Sequence, residues 1–177
     1  MPGVTESSTI VTKRLLLHPL RLEDADEMVG VLADPTLHEF TGGEPATLAE
    51  LRDRYGSWVQ GSGSDSEMWL NWVVRRSADA APVGALQATI ENPSTRPEAF
   101  VAWTIGSAWQ RRGYASEATI GLMQWLDQQR IRSVVAHIHP DHVASAKVAN
   151  NAGLEPTDDV VDGEIVWRLR SSGDQSV

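Results

Sequence analysis

The chain has no cysteine among its 177 residues. That excludes a disulfide scaffold, a thiolate zinc site, an iron–sulfur cluster and a cysteine nucleophile, and with them any route that parks an acyl group on sulfur. Tyrosine is scarce, with only Tyr55 and Tyr114, and so is phenylalanine, with Phe40 and Phe100. Positive charge is in deficit: 15 Lys and Arg against 24 Asp and Glu give a formal net charge of −9. An acidic surface disfavours nucleic acid and anionic membranes and is compatible with a cationic substrate such as an amine. No apolar run approaches the ~20 residues of a spanning helix, and Met1 to Ser8 lack a basic start and an apolar stretch. A cytoplasmic protein without nucleic-acid or membrane partners is expected.

Apolar residues make up 41% of the chain and charged residues 22%, an ordinary globular composition. The length suits one domain. It is placed at 9–170, between polar ends at 1–8 and 171–177 that are expected to be flexible. A third flexible piece is expected at Gly61 to Ser66, which is all Gly, Ser and Asp.

Strand and helix signals alternate between these points. Lys13–Leu17 predicts a strand. Leu22–Ala33 predicts a helix with Ala25, Met28, Val29 and Leu32 on one stripe. Thr47 and Glu50 form a capping-box pattern, followed by a stripe of Leu48, Leu51, Tyr55, Trp58 and Val59. Strands are expected at Met68–Val74, from Pro82, and at Ala99–Ile105. The longest helix is expected at Gly113–Arg130. A strand at Ser133–His139, a short helix at about His142–Ala152 and a hairpin around Asp162-Gly163 complete the order. Three consecutive strands imply a meander, and strand–helix–strand from Ala99 to His139 implies a right-handed parallel crossover. The expected class is α/β (α+β): a mixed, mostly antiparallel sheet with helices on both faces. Among the tryptophans, Trp58, Trp125 and Trp167 are expected in the core, and Trp69 and Trp72 on opposite faces of their strand.

Gln110-Arg111-Arg112-Gly113-Tyr114-Ala115-Ser116-Glu117 is the most informative stretch. It joins a strand to the longest helix. Gly113 and Ala115 keep side chains out of the turn. The first amides of a helix have no intrahelical partner, and with the helix dipole they attract an anion such as a pyrophosphate. Arg111 and Arg112 add charge, and the Ser116 hydroxyl adds a donor. A plain helix start with two solvated arginines would leave the same residues in place.

This stretch resembles the Gln/Arg-x-x-Gly-x-Gly/Ala acetyl-CoA motif of the GNAT N-acetyltransferases. Thr12 to Leu20, Thr-Lys-Arg-Leu-Leu-Leu-His-Pro-Leu, is similar to the opening of the family's Rim-type branch, which acetylates ribosomal-protein N-termini among other amines. Pro82-Val83-Gly84, Ala102-Trp103-Thr104-Ile105, Gly113 to Ala118, and Pro140 to Ser145 followed by Asn151-Ala152-Gly153-Leu154 also resemble family segments, in order, over roughly residues 12–170. The resemblance implies a GNAT fold, splayed at the cofactor site, with acetyl-CoA as cosubstrate and an amine as acceptor. It implies that the amides of Arg111 to Ala115, Arg112, Gly113 and Tyr114 among them, hold the pyrophosphate with Ser116 nearby, and that Gln110 also binds the cofactor. It further implies that the pantetheine arm pairs like an extra strand with Trp103, Thr104 and Ile105. A homodimer is left open.

Acetyl transfer needs a neutral amine. At pH 7 neutralising an α-amino group costs about 1.4 kcal/mol and a lysine about 4.6 kcal/mol, so only the latter demands a strong base. The tyrosine with which many relatives protonate the leaving thiolate is missing, because Ala149 stands in its place. Ser145 matches the serine that the Rim-type branch offers instead; support of its own helix turn is the bland alternative. His142 departs from the family's asparagine and puts a cofactor contact there in question. Glu91, Glu98 and His137 are the candidate bases, with solvated loop acids as the ordinary reading of the first two. His38 and Glu39 fall where the acceptor pocket is usually lined. His137-Ile138-His139-Pro140-Asp141-His142 invites a metal site, but Pro140 redirects the chain and no metal is assigned. A GNAT-fold acyl-CoA-binding module with weak or no catalysis is the alternative to an acetyltransferase.

Overall fold

The computed structural model describes residues 7–170. Eight strands form one sheet: β1 (Ile10–Val11), β2 (Leu15–Pro19), β3 (Glu67–Arg76), β4 (Pro82–Glu91), β5 (Glu98–Ile105), β6 (Ser133–Ile138), β7 (Leu154–Val161) and β8 (Glu164–Leu169). Their spatial order is β1-β2-β3-β4-β5-β6-β8-β7. All neighbours are antiparallel except β5 and β6. Four helices cover it: α1 (Ala25–Val31), α2 (Leu48–Gln60), α3 (Tyr114–Gln128) and α4 (Val143–Asn151). The predicted element order is therefore present, with the two-residue β1 added.

Alternation along the strands divides the sheet into two faces. Leu70, Trp72 and Val74 of β3 pack with Ala118, Leu122, Trp125 and Leu126 of α3. Val73, from the opposite face, packs with Ala25, Met28, Leu51 and Tyr55 of α1 and α2. The two clusters hold the sheet between helices. Trp72 is fully buried and meets Trp125 edge-on, with ring centroids 5.3 Å apart. Both indole N–H groups donate to Ser8, one to its carbonyl at 2.9 Å and one to its hydroxyl at 2.7 Å. Ser8, expected to lie in a loose end, is thus fastened to the core. The other residues of the expected flexible ends, apart from Ser7, lie outside the described residues.

Some local expectations change. The first helix is shorter than its pattern: Leu22–Asp24 form a 3-10 turn and the α-helix runs only from Ala25 to Val31. Val59 is 56% exposed, and Trp58 is only partly buried against the cluster of α1 and α2. The Gly/Ser stretch is not a free linker. Ser62 Oγ donates to the Glu67 carbonyl at 2.8 Å, and the Ser64 amide donates to Ser62 Oγ at 3.1 Å, so serine side chains stand in for missing backbone partners. At Asp162-Gly163 both φ angles are positive, 50° and 84°, as a two-residue hairpin requires.

Candidate acetyl-donor site

The parallel pair β5 and β6 is where the sheet opens. Glu98, Ala99 and Phe100 pair with Ser133, Val134 and Val135, and there the ladder stops. β5 runs on to Ile105 along β4, while β6 continues along β8. The Gly106 amide donates to the Val83 carbonyl at 2.9 Å, which fixes the phase of the antiparallel pattern. It follows that Phe100, Ala102 and Thr104 turn their main-chain groups to β4, and Val101, Trp103 and Ile105 turn theirs to the opening. Of the three residues expected to pair with a pantetheine arm, Trp103 and Ile105 have the right phase and Thr104 does not. Val101 belongs with them and was not singled out from the sequence. Gly84 keeps β4 close here: a Cβ on it would lie 2.2 Å from the Thr104 carbonyl oxygen.

At the far end of β5 the chain makes a 3-10 turn, Ser107–Trp109, and enters the loop before α3. Gln110 Nε2 donates to the Ile105 carbonyl at 3.0 Å and folds the loop back on the strand end. Arg111 (φ 59°) and Gly113 (φ 79°) are left-handed. Gly113 is the N-cap of α3 and supplies no side chain to it, whereas α2 is capped by Thr47 and Glu50. The first backbone bond of α3 runs from the Glu117 amide to the Gly113 carbonyl at 3.0 Å. Among the described residues, the amides of Arg111 to Ser116 make no backbone bond. A row of free N–H groups at a positive helix end is suited to cradle an anion, and a Cβ on Gly113 would meet Arg14 Nη2 at 3.4 Å.

Charge gathers around that cradle. Arg112 lies over the Trp109 ring at 5.2 Å and donates to the Ala108 carbonyl at 3.2 Å. Arg76 covers the same ring at 4.9 Å. Arg111 and Arg112 form no ion pair with a carboxylate among the described residues. Two uncompensated guanidinium groups beside free amides, in a chain of net charge −9, suit a diphosphate. Tyr114 stacks under Arg14 at 4.8 Å. Ser116 Oγ accepts from Asn151 Nδ2 at 3.0 Å, which ties the end of α4 to the start of α3.

Beyond β6 stands His142, the N-cap of α4. Its Nδ1 accepts the Ser145 amide at 3.4 Å, and its ring stacks on Phe40, with centroids 4.4 Å apart. Burial lowers its pKa below the ordinary histidine value, opposed by Glu39 and assisted by His139. A neutral ring with Nδ1 accepting carries its proton on Nε2. His142 thus does what a capping asparagine side chain would do, and Phe40 from the α1–α2 connection holds it. His139 also lies against Phe40, at 5.3 Å. His137 is elsewhere, exposed on β6 and edge-on to Phe100 at 5.9 Å. No group of three or more His, Asp or Glu among the described residues is arranged to hold a metal. Ser145 is partly buried, and its hydroxyl has no hydrogen-bond partner among the described residues.

Glu91 and Glu98 face each other in register across the β4–β5 hairpin. Glu98 Oε1 accepts from Ser133 Oγ at 2.6 Å and from Arg168 Nη1 at 3.1 Å. Glu91 is exposed.

The cradle and the opening fit a nucleotide diphosphate with a long arm, and comparisons agree. A family model described as an acetyltransferase (GNAT) domain matches residues 14–155. Comparison with curated proteins finds no match. Solved structures do share the fold. An acetyltransferase (GNAT family) from Bacillus anthracis has a TM-score of 0.73 at 15% identity, covering 92% of this chain and 98% of that one. RimL, a ribosomal L7/L12 α-N-protein acetyltransferase solved with coenzyme A, has a TM-score of 0.75 at 16% identity, covering 91% and 97%. The microcin C7 self-immunity acetyltransferase MccE, solved with acetyl-CoA and AMP, has a TM-score of 0.69 at 13% identity, covering 88% and 92%. With its residues 14–155 matched to that domain, the chain belongs to the GNAT acetyltransferases, acyltransferases whose acetyl donor is acetyl-CoA.

Proposed function

We propose that the chain acetylates a primary amine, a protein N-terminus or a small molecule, by direct attack within a ternary complex. The observation that carries this is the unpaired edge of β5 beyond Phe100, running into the uncapped mouth of α3. Acetyl-CoA supplies an acetyl group activated as a thioester. The amides from Arg111 to Ser116, with Arg111 and Arg112, grip the diphosphate, and Gln110 and Tyr114 shape the loop around it. The main-chain groups of Val101 and Trp103, with the Ile105 amide, align the arm, and a backbone N–H at the opening polarises the thioester carbonyl.

The acceptor enters from the α1–α2 face, where Phe100, Ala102 and His137 are partly or fully exposed beside the opening. His137 takes the amine proton, since it stands on β6 two residues past Val135, the last to pair with β5. Glu91 assists through solvent, and Glu98 is retained by Ser133 and Arg168. Ser145, next to the capped turn of α4, donates a proton to the leaving sulfur. The Thr12–Leu20 opening and the RimL likeness favour the Rim-type branch and a peptide acceptor.

Thiol release measured with acetyl-CoA across a panel of α-amines, polyamines and lysine side chains tests the function. Turnover with at least one amine is expected. CoA binding with no turnover on any of them would instead make the chain a binding module.

A further inference from the structure

Trp69 holds two main-chain groups that no strand among the described residues receives. The Leu20 amide donates to the Asn71 carbonyl at 2.9 Å, so residues 67, 69 and 71 of β3 point their backbone groups away from β4. β2 pairs with β3 only as far as Trp72. Ser62 Oγ takes up the Glu67 carbonyl. Between these two closures the N–H and C=O of Trp69 face a cavity of about 900 Å³. Trp58, Val59, Met68 and Leu20 give it apolar walls, and Asp65 and Glu67 give it negative charge. Its floor includes Asn71, only 6% exposed, whose Oδ1 has no partner among the described residues.

A line of paired residues leads from the cavity toward the opening between β5 and β6. Trp69 pairs with Thr89, Thr89 with Phe100, and Phe100 with Val135. Trp69, Thr89 and Phe100 lie on the α1–α2 face and are each partly exposed, and the neighbouring His137 is exposed. An exposed row therefore crosses the sheet from the notch to the diverging strands. The crossing spans about three and a half strand spacings, ~17 Å, or roughly five extended residues.

We propose that this notch binds an extended segment of a polypeptide acceptor, several residues beyond the amine that is acetylated, through main-chain hydrogen bonds to Trp69. The inference rests on the amine acetylation proposed above and makes its acceptor a polypeptide. A free edge that offers one N–H and one C=O is a template for an added strand. The acid at its rim favours a segment carrying Lys or Arg, and the tryptophans take its apolar side chains. A single amino acid or a small amine cannot fill the notch and reach the opening together.

Fluorescence anisotropy with the labelled octapeptide ASKVTVKA, N-acetylated so that it cannot turn over, tests this in the presence of CoA. Main-chain recognition tolerates sequence, so one such probe suffices. Its first two and first four residues serve as shorter probes. The octapeptide should bind at least tenfold more tightly than either. Trp69→Pro removes the outward N–H without breaking the β3–β4 ladder and should abolish that advantage. Trp69→Ala keeps the N–H and should retain part of it. CoA affinity of each variant reports whether it is folded. Equal affinity at all three lengths, or an unchanged advantage in folded Trp69→Pro, overturns the proposal. Octapeptide binding without acetylation of any amine would keep the notch and remove the transferase function. Acetylation of amines with no length dependence in binding would do the reverse.

Discussion

Arg14 and Glu117, 103 residues apart in the chain, meet at 2.6 Å between Nε and Oε2. The same carboxylate accepts the Arg14 amide and the Thr12 hydroxyl, each at 2.7 Å. Arg14 then donates to the Arg112 carbonyl at 3.0 Å. One acid in the first turn of α3 thus fastens the anion cradle to the start of β2.

Replacing Glu117 should therefore loosen the cradle as well as the fold. Glu117→Ala is expected to lose about 1.5–3 kcal/mol of stability, since the bonds of a partly buried carboxylate to the Thr12 hydroxyl and the Arg14 amide are lost. CoA affinity should fall in the same variant. The pH dependence has a definite sign. Burial raises the Glu117 pKa, but bonds from Thr12 and Arg14 outweigh it and hold the carboxyl below its ordinary value. Its contribution is complete above the unfolded value of ~4.3 and is lost as pH falls through the lower folded value. Chemical denaturation of wild type and Glu117→Gln across pH 3–6 checks this: the two curves should converge at the acid end.

Gly113→Val should weaken CoA binding at least tenfold. A β-branched residue at φ 79° also costs about 1–3 kcal/mol of stability. Calorimetric titration with CoA, at a temperature where the variant is folded, separates the two. Unchanged affinity would remove the diphosphate from this loop.

Ser145→Ala should lower kcat by roughly a hundredfold, within the usual range for a lost proton donor, while CoA affinity changes little. Steady-state kinetics with the best amine of the panel, paired with CoA titration, measures both. Equal kcat would assign the proton to water.

His142→Ala should cost about 1 kcal/mol as a lost cap, whereas His142→Asn should restore most of it. Burial depresses the His142 pKa. The stabilisation from the neutral ring is present above ~6.5 and is lost as pH falls through the lower folded value. Thermal melts from pH 7.5 to 5 should show a decline in wild type that is smaller in His142→Asn.

Much of this was legible from the chain itself. The meander, the parallel crossover and the helix after Gly113 follow from periodicity and breakers, because those rules act within a few residues. The uncapped start of α3 was legible too, since two arginines and a glycine N-cap are consecutive. What the sequence by itself determined was these local elements and their order, together with the acidic surface. Tertiary structure alone decided the rest: the phase that turns Val101, Trp103 and Ile105 rather than Thr104 toward the opening, the stacking of Phe40 on His142, the capture of Glu98 by Arg168, and the exposed backbone of Trp69. Each of these depends on which strand ends first beside which neighbour, a relation between residues tens of positions apart that no local pattern encodes.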